Sequence, residues 1–306
     1  MCEPKISVVI PAYNHPELLY KTIESVLRQT FSDFEVLIID DGSEMDLTET
    51  ISHFSYDPRL RYTKITHSNA NVARNYGIQS SKGEFIAMLD SDDLWLDTHL
   101  EQCLRSLGSS DGLYGSLILR YSDPDQDRIV YTRNIHKDEL MINFLLFNGY
   151  AAQTSTLFMT ASSAKDIMWD PSLNRHQDYD FVVRYSKKYN MIALHDPSVI
   201  CQRINKNVII DFESCIAFIR KFQYEIDPMI YVLYNFDMLK LARSYIASGY
   251  DVNPGIIHHY KTETVKYLYY LSYRDYLYIM DPMNRFQIFK SILRYIVGIL
   301  NYRIEI

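Results

Sequence analysis

Residues 85–93 read FIAMLDSDD, an apolar run closed by three carboxylates, Asp90, Asp92 and Asp93, within four positions. Carboxylates so close repel one another, and holding them at the tip of an apolar strand costs free energy unless a cation stands beside them. Upstream, strand-like and helix-like periods take turns. ISVVI (6–10) reads as a buried strand, ELLYKTIESVLRQ (17–29) as an amphipathic helix and VLIID (36–40) as a second strand. A helix over about 47–54, a strand at LRYTKI (60–65), a helix over 70–80 and a strand at EFIAML (84–89) follow. This alternation predicts an α/β fold with a mostly parallel sheet flanked by helices.

In such sheets ligands bind beyond the carboxyl ends of the strands. Pro11-Ala12-Tyr13-Asn14 follows the first strand, Asp40-Asp41-Gly42-Ser43 the second and Asp90-Ser91-Asp92-Asp93 the fourth. Any one of these clusters suits a solvated turn; three on one rim point to a site. The acidic triplet suits a hard divalent cation, Mg2+ or Mn2+, which one or two carboxylates hold while substrate phosphates and water complete the shell. The plainer alternative makes Asp92 or Asp93 the N-cap of a helix starting near Leu94. Arg74, early on the helix that feeds this strand, can grip phosphate or hold the carboxylates. Tyr13 offers a ring on which a base can stack.

After Leu107 the pattern loosens: strands at 113–121, 129–132 and TSTLFM (154–159), helices over about 137–147 and 178–188. Beyond about 211 the chain turns helical and Tyr-rich, with seven tyrosines in 260–278, so we expect one domain over 1–210 and a helical region over 211–306.

Composition narrows the function classes. The net charge is −7, and residues 1–210 hold 20 basic against 28 acidic side chains. An acidic chain without a basic stripe is a poor partner for nucleic acid. Four cysteines without paired spacing argue against a disulfide scaffold or zinc site. The first residues, MCEPKISVVIPAY, lack a signal-peptide pattern, and no run of 18 apolar residues suggests a membrane span. The expectation is a cytoplasmic protein.

ISVVIPAYN, FEVLIIDDGS and NVARNYGIQSSKGEFIAMLDSDD, in that order, resemble the family 2 glycosyltransferases of the GT-A fold. The likeness is dense over residues 5–95 and thinner to about 205. It implies a Rossmann-like sheet and metal-dependent, inverting transfer of a sugar from a nucleotide donor, a UDP-sugar above all. Saccharides or lipid-linked glycans, as in bacterial surface polysaccharide synthesis, are the implied acceptors. It makes Pro11, Ala12 and Tyr13 the nucleoside pocket and Asp41 the acceptor of a base N–H. Asp90 falls to the ribose or a metal-bound water, Asp92 to the metal, and Asp93 to a second ligand or a helix cap. Within RHQDYDFVVR (175–184) it implies Asp178 as the base that deprotonates the acceptor hydroxyl, with Asp180 able to swap roles. Gln177 departs from the family's usual Glu. In VICQRIN (199–205), Arg203 is placed to touch phosphate, and Asn205 stands where a His often completes the metal shell.

Three rivals are weaker. D-x-D also opens phosphatases of the haloacid dehalogenase type, but there it sits on the first strand and continues with Thr or Val. A nucleotidyltransferase would need a Gly-rich basic loop where this chain has PAYNHPE. A non-catalytic nucleotide-sugar binder would lack the base. The helix-like tail 286–300, FQIFKSILRYIVGIL, suits either peripheral membrane contact or packing in the chain or a homodimer.

Overall fold

The structure is a computed structural model and describes residues 3–148, 152–203 and 209–274. Asn205, the tail 286–300 and the tyrosines beyond 274 lie outside the described residues. The chain divides into two compact units, 1–225 and 226–306, a break that falls beyond the expected one at 210.

The first unit begins as the alternation predicts: β1 (Ile6–Ala12), α1 (Pro16–Leu27), β2 (Phe34–Asp40), α2 (Thr48–Ser52), β3 (Leu60–Lys64), α3 (Ala70–Ser80) and β4 (Phe85–Met88). Every residue of β1 and β2 is buried, which is why both read as unbroken apolar runs: helices cover the sheet on each face. Leu19, Ile23 and Val26 form the buried side of α1. Asn69 caps α3, its side chain accepting from the amides of Asn71 and Val72. Gly77 lets α3 lie directly on β1, since a Cβ there would stand 2.4 Å from Val9 Cγ1.

The sheet order is β3-β2-β1-β4-β8-β6-β9-β5, with β7 (Arg128–Val130) on the edge of β6. β3, β2, β1 and β4 are parallel; β6 (Gly112–Arg120) and β9 (Met191–Gln202) form a second parallel pair. β8 (Phe158–Thr160) joins the two groups antiparallel to both, and β5 (Asp93–Trp95) closes the order against β9. Register brings the expected clusters together. Ala12 pairs with Asp40 and Val9 with Met88, so the loops after β1, β2 and β4 leave the sheet along one rim. The remaining helices of this unit are α4 (His99–Leu107), α5 (Met141–Asn148), α6 (Ala161–Ile167), α7 (Gln177–Ser186) and α8 (Phe212–Phe222).

Two local expectations are corrected. Residues 154–156, read as strand, form a 3-10 turn, and the strand is only Phe158–Thr160. Asp93 starts the strand β5 instead of capping a helix at Leu94. The β-branched and aromatic residues of TSTLFM suggested a strand, but three hydroxyl residues in a row serve the turn's local hydrogen bonds better.

In the second unit α9 (Pro228–Ala247) packs on α10 (Pro254–Arg274). Tyr231 and Tyr260 are buried in it, and the Tyr231 hydroxyl donates to Glu263 at 3.0 Å, so the Tyr231 ring is core with a satisfied polar tip. Among the described residues no helix is long and apolar enough to cross a membrane.

Candidate active site

Two cavities open on the rim. The smaller, about 210 Å³, is lined by Pro11, Ala12, Tyr13, His15, Asp41 and Asp92 among others; the larger, about 440 Å³, by Asp178, Arg175, Arg203, Gln153 and Thr154 among others. Arg74 and Asp90 line both. Their ion pair, Nη2 to Oδ1 at 2.7 Å, therefore stands at the junction of the two cavities.

Arg74 is fixed from several sides. It is only 3% exposed, and its Nη1 donates to Asn71 Oδ1 at 2.8 Å. The guanidinium lies 4.5 Å from the centre of the Trp169 ring. With its amide oxygen turned to Arg74, Gln177 accepts from Nη1 at 3.2 Å and donates to the Asn174 carbonyl at 2.7 Å. Asn71 is held in turn by the carbonyls of Asp170 and Leu173. A helix residue, a loop and the start of α7 thus converge on one guanidinium.

On the smaller cavity, Asp41 is buried, and its carboxylate accepts from the Ser68 amide at 2.9 Å and faces His67 Nδ1 at 3.0 Å. His67 stacks on Tyr13, with ring centres 4.5 Å apart and planes 22° apart, so one face of Tyr13 is already covered. Asp40 turns inward instead: Tyr62 donates to its Oδ2 and the Ser43 amide to its Oδ1. Gly42 has φ +69°, and a Cβ there would stand 2.6 Å from the His67 nitrogen, so this turn demands glycine.

The triplet splits. Asp90 pairs with Arg74. Asp92 lines the smaller cavity, its carbonyl held by Gln202 Nε2 at 2.7 Å. Asp93, expected as a second metal ligand, lines neither cavity: Ser155 Oγ at 2.7 Å, Cys201 Sγ at 3.3 Å and the Gln202 amide at 3.2 Å all donate to its buried carboxylate. Burial, with the charge of Asp90 adding to it, pushes Asp93 up to about 6. Its carboxylate acts here as an internal tie, satisfied by these three donors.

Asp90 and Asp92 both line the smaller cavity and are the carboxylates there that could hold Mg2+ or Mn2+, with diphosphate and water filling the rest of the shell. Among the described residues no three His, Cys, Asp or Glu groups come together as a complete metal cage.

On the larger cavity, Asp178 sits in the first turn of α7, where its Oδ1 accepts from the Tyr179 amide at 2.9 Å. Burial raises its pKa above the usual carboxylate value and the charge of Asp90 adds to that, while the Tyr179 amide, Arg74 and Arg175 pull it down. Asp180 cannot take its place. It is fully buried and bound by Arg184 and Lys221. Arg203, expected near the donor phosphates, lines the larger cavity and not the smaller one.

The sequence reading missed His67, Asn71, Ser155, Gln153 and Thr154. Ser155 is the most consequential, since its hydroxyl accepts from the Asp90 amide at 3.1 Å while donating to Asp93. The hydroxyl run Thr154-Ser155-Thr156 within an otherwise apolar stretch was the available signal.

Parallel strands feeding an acidic rim, with two cavities joined through one Arg–Asp pair, define a glycosyltransferase of the GT-A fold. The chain belongs to glycosyl transferase family 2, whose profile matches residues 7–167. It is 32% identical over 208 residues to the amylovoran biosynthesis glycosyltransferase AmsB of Erwinia amylovora, covering 63% of this chain and 68% of that one. It is 40% identical over 112 residues to an uncharacterized glycosyltransferase of Rickettsia bellii, a match over 37% of this chain that spans only 16% of the relative's length. Among solved structures, Staphylococcus aureus TarS 1–349 in complex with UDP-GlcNAc superimposes with a TM-score of 0.57 at 17% identity, covering 92% of this chain and 77% of that one. At that identity the likeness speaks for the fold.

Proposed function

We propose that this chain transfers a sugar from a nucleotide-diphosphate donor, UDP-linked, to a hydroxyl of a saccharide or lipid-linked saccharide, with inversion, in the synthesis of a bacterial surface polysaccharide. The observation that carries the reading is the Arg74–Asp90 pair, shared by a cavity with nucleoside-binding chemistry and a cavity with a candidate base. The name of AmsB and the UDP-GlcNAc bound to TarS support it.

The base of the donor stacks on the open face of Tyr13, backed by His67, and Asp41 accepts its N–H. Asp90 and Asp92 would hold Mn2+ or Mg2+, which supplies charge neutralisation for the departing nucleotide diphosphate. Arg74 adds a fixed positive charge at the junction and orients Asp90. Asp178 takes the proton from the acceptor hydroxyl, and its raised pKa makes it a stronger base than an exposed carboxylate. One carboxylate base on the acceptor side suits a single displacement, hence inversion. We place this work in the cytoplasm, or at the inner face of its membrane, where nucleotide-sugar donors and lipid-linked acceptors would meet.

The test is nucleotide release from a panel of UDP- and GDP-sugars with Mn2+ or Mg2+, repeated with Asp92→Ala and Asp178→Asn. Asp178→Asn should lose about 10²–10⁴-fold in transfer, the usual worth of a general base, while still binding UDP. Wild-type turnover in both variants would refute the site.

A further inference from the structure

The larger cavity carries more positive charge than transfer to a neutral sugar requires. Its wall holds Arg74, Arg175 and Arg203 against Asp90 and Asp178. Arg74 is committed to Asp90, and His176 beside Arg175 is kept neutral, pushed down to about 3 by burial first and then by the Arg175 charge. Arg175 and Arg203 remain on this wall, with Asp178 as the other acidic residue among the described ones that line it. Among the described residues neither Arg175 nor Arg203 has an ion pair or a side-chain hydrogen bond, and both are anchored by backbone. The Arg175 amide donates to Ser214 Oγ at 2.9 Å and its carbonyl accepts from that hydroxyl at 3.2 Å. The Arg203 amide donates to the Arg120 carbonyl at 2.7 Å.

The whole chain is at −7, so this positive wall is not the by-product of a basic surface. Neutral hydroxyls are satisfied by amides and carboxylates. An unpaired guanidinium presented from a fixed backbone matches a planar carboxylate or a phosphate through two parallel hydrogen bonds. Arg203 follows directly on β9 and can also serve the departing diphosphate. Arg175 stands three residues before the candidate base, within electrostatic reach of it, and has no such second duty.

Building on the glycosyltransferase reading above, we infer that the acceptor is anionic: a saccharide bearing a carboxylate or phosphate near the accepting hydroxyl, gripped by Arg175. Selection then happens on the acceptor side, independent of which sugar the donor brings.

Binding of three probes to the enzyme with UDP and Mn2+ present tests this by calorimetry: octyl β-D-glucoside, octyl β-D-glucuronide and octyl β-D-glucoside 6-phosphate. At least one charged glycoside should bind about tenfold or more tightly than the neutral one, the scale of one charge-assisted hydrogen bond. Comparing the two charged probes tells carboxylate from phosphate. Arg175→Gln should erase the preference and Arg175→Lys restore part of it, with UDP affinity unchanged in both variants. Equal binding of neutral and charged probes, no binding by either charged probe, or a preference that survives Arg175→Gln would overturn the inference. A change in UDP affinity instead of acceptor preference would make Arg175 a scaffold residue and overturn it equally. Failure of the wild type to bind UDP would remove the nucleotide-sugar reading, and this inference with it.

Discussion

Asp180→Ala should loosen α7, the helix that presents the candidate base, without touching either cavity. Asp180 is completely buried. Its Oδ2 accepts from Arg184 Nε at 2.8 Å and its Oδ1 from Lys221 at 2.5 Å. Removing one member of a buried ion network costs about 3–5 kcal/mol, because the partner charges are left uncompensated. Two features pull the estimate to the low end, about 3 kcal/mol. Arg184 and Lys221 are 24% and 35% exposed, so water reaches them. Each also keeps other acceptors, Arg184 the carbonyls of Ile167 and Met168, and Lys221 the carboxylate of Asp170. With a urea slope of about 3 kcal/mol per molar, the unfolding midpoint falls by about 1 M. Tryptophan fluorescence isolates this unit, since the chain's two tryptophans, Trp95 and Trp169, both lie in it. Trp169 stacks on Phe181 at 4.6 Å, next to the substituted residue, and should report first. Asp180→Asn, which keeps one acceptor, should fall in between. A midpoint shift below about 0.3 M, less than 1 kcal/mol on the same slope, would show that the buried triad does not fasten the helix.

Gly42→Ala forces a Cβ against the backbone of His67 from a left-handed turn, at a cost of about 1–2 kcal/mol for the conformation alone. It should displace His67 from Tyr13 and Asp41 and weaken UDP binding about tenfold or more by calorimetry; unchanged affinity would count against the stacked ring as a base platform. Arg74→Lys keeps a charge for Asp90 but loses the planar contacts with Asn71, Gln177 and Trp169, so kcat/KM should fall about 100-fold, and a loss within threefold would refute the junction role. Asp178→Asn bears on stability as well. Burial first holds the folded-state pKa above its unfolded value, so between the two the folded state binds more protons and stability falls as pH rises through that window. The variant should therefore gain more in urea midpoint at pH 7 than at pH 3.5, and an equal gain at both would contradict the raised pKa.

The parallel half of the fold was legible because strands buried on both faces leave continuous apolar runs, as in ISVVI and VLIID, and because the helices between them repeat at 3.6 residues. What lay beyond Leu107 was harder to read. β8 has three residues and is set by its pairing with β4 and β6 and by Phe158 stacking on Phe85 of β4, contacts no local period encodes. At the site, the residues on strand ends could be found from the sequence, since the rim rule places them. His67 and Ser155 could not, because each acts by holding another site residue from a loop or turn remote in the chain, and Asn71, one helical turn before Arg74, looked like an ordinary helix residue. Asp93 shows the reverse difficulty. Its letter matched a ligand, and only pairing of β5 with β9 turned it away from the cleft.

The crowding of three carboxylates in four positions is resolved three ways at once. Asp90 meets a guanidinium, Asp93 meets neutral donors and is pushed up to about 6, and Asp92 lines the smaller cavity. The balance depends on Arg74 having one charged partner. Gln177 reaches the same guanidinium at 3.2 Å with a neutral oxygen. A carboxylate there would compete with Asp90 for Arg74, restore repulsion to the triplet and add a negative charge one residue from Asp178, raising that base further. The amide at 177 thus keeps Arg74 committed to Asp90. It also leaves the charge of the larger cavity to be decided by Arg175, Arg203 and the acceptor.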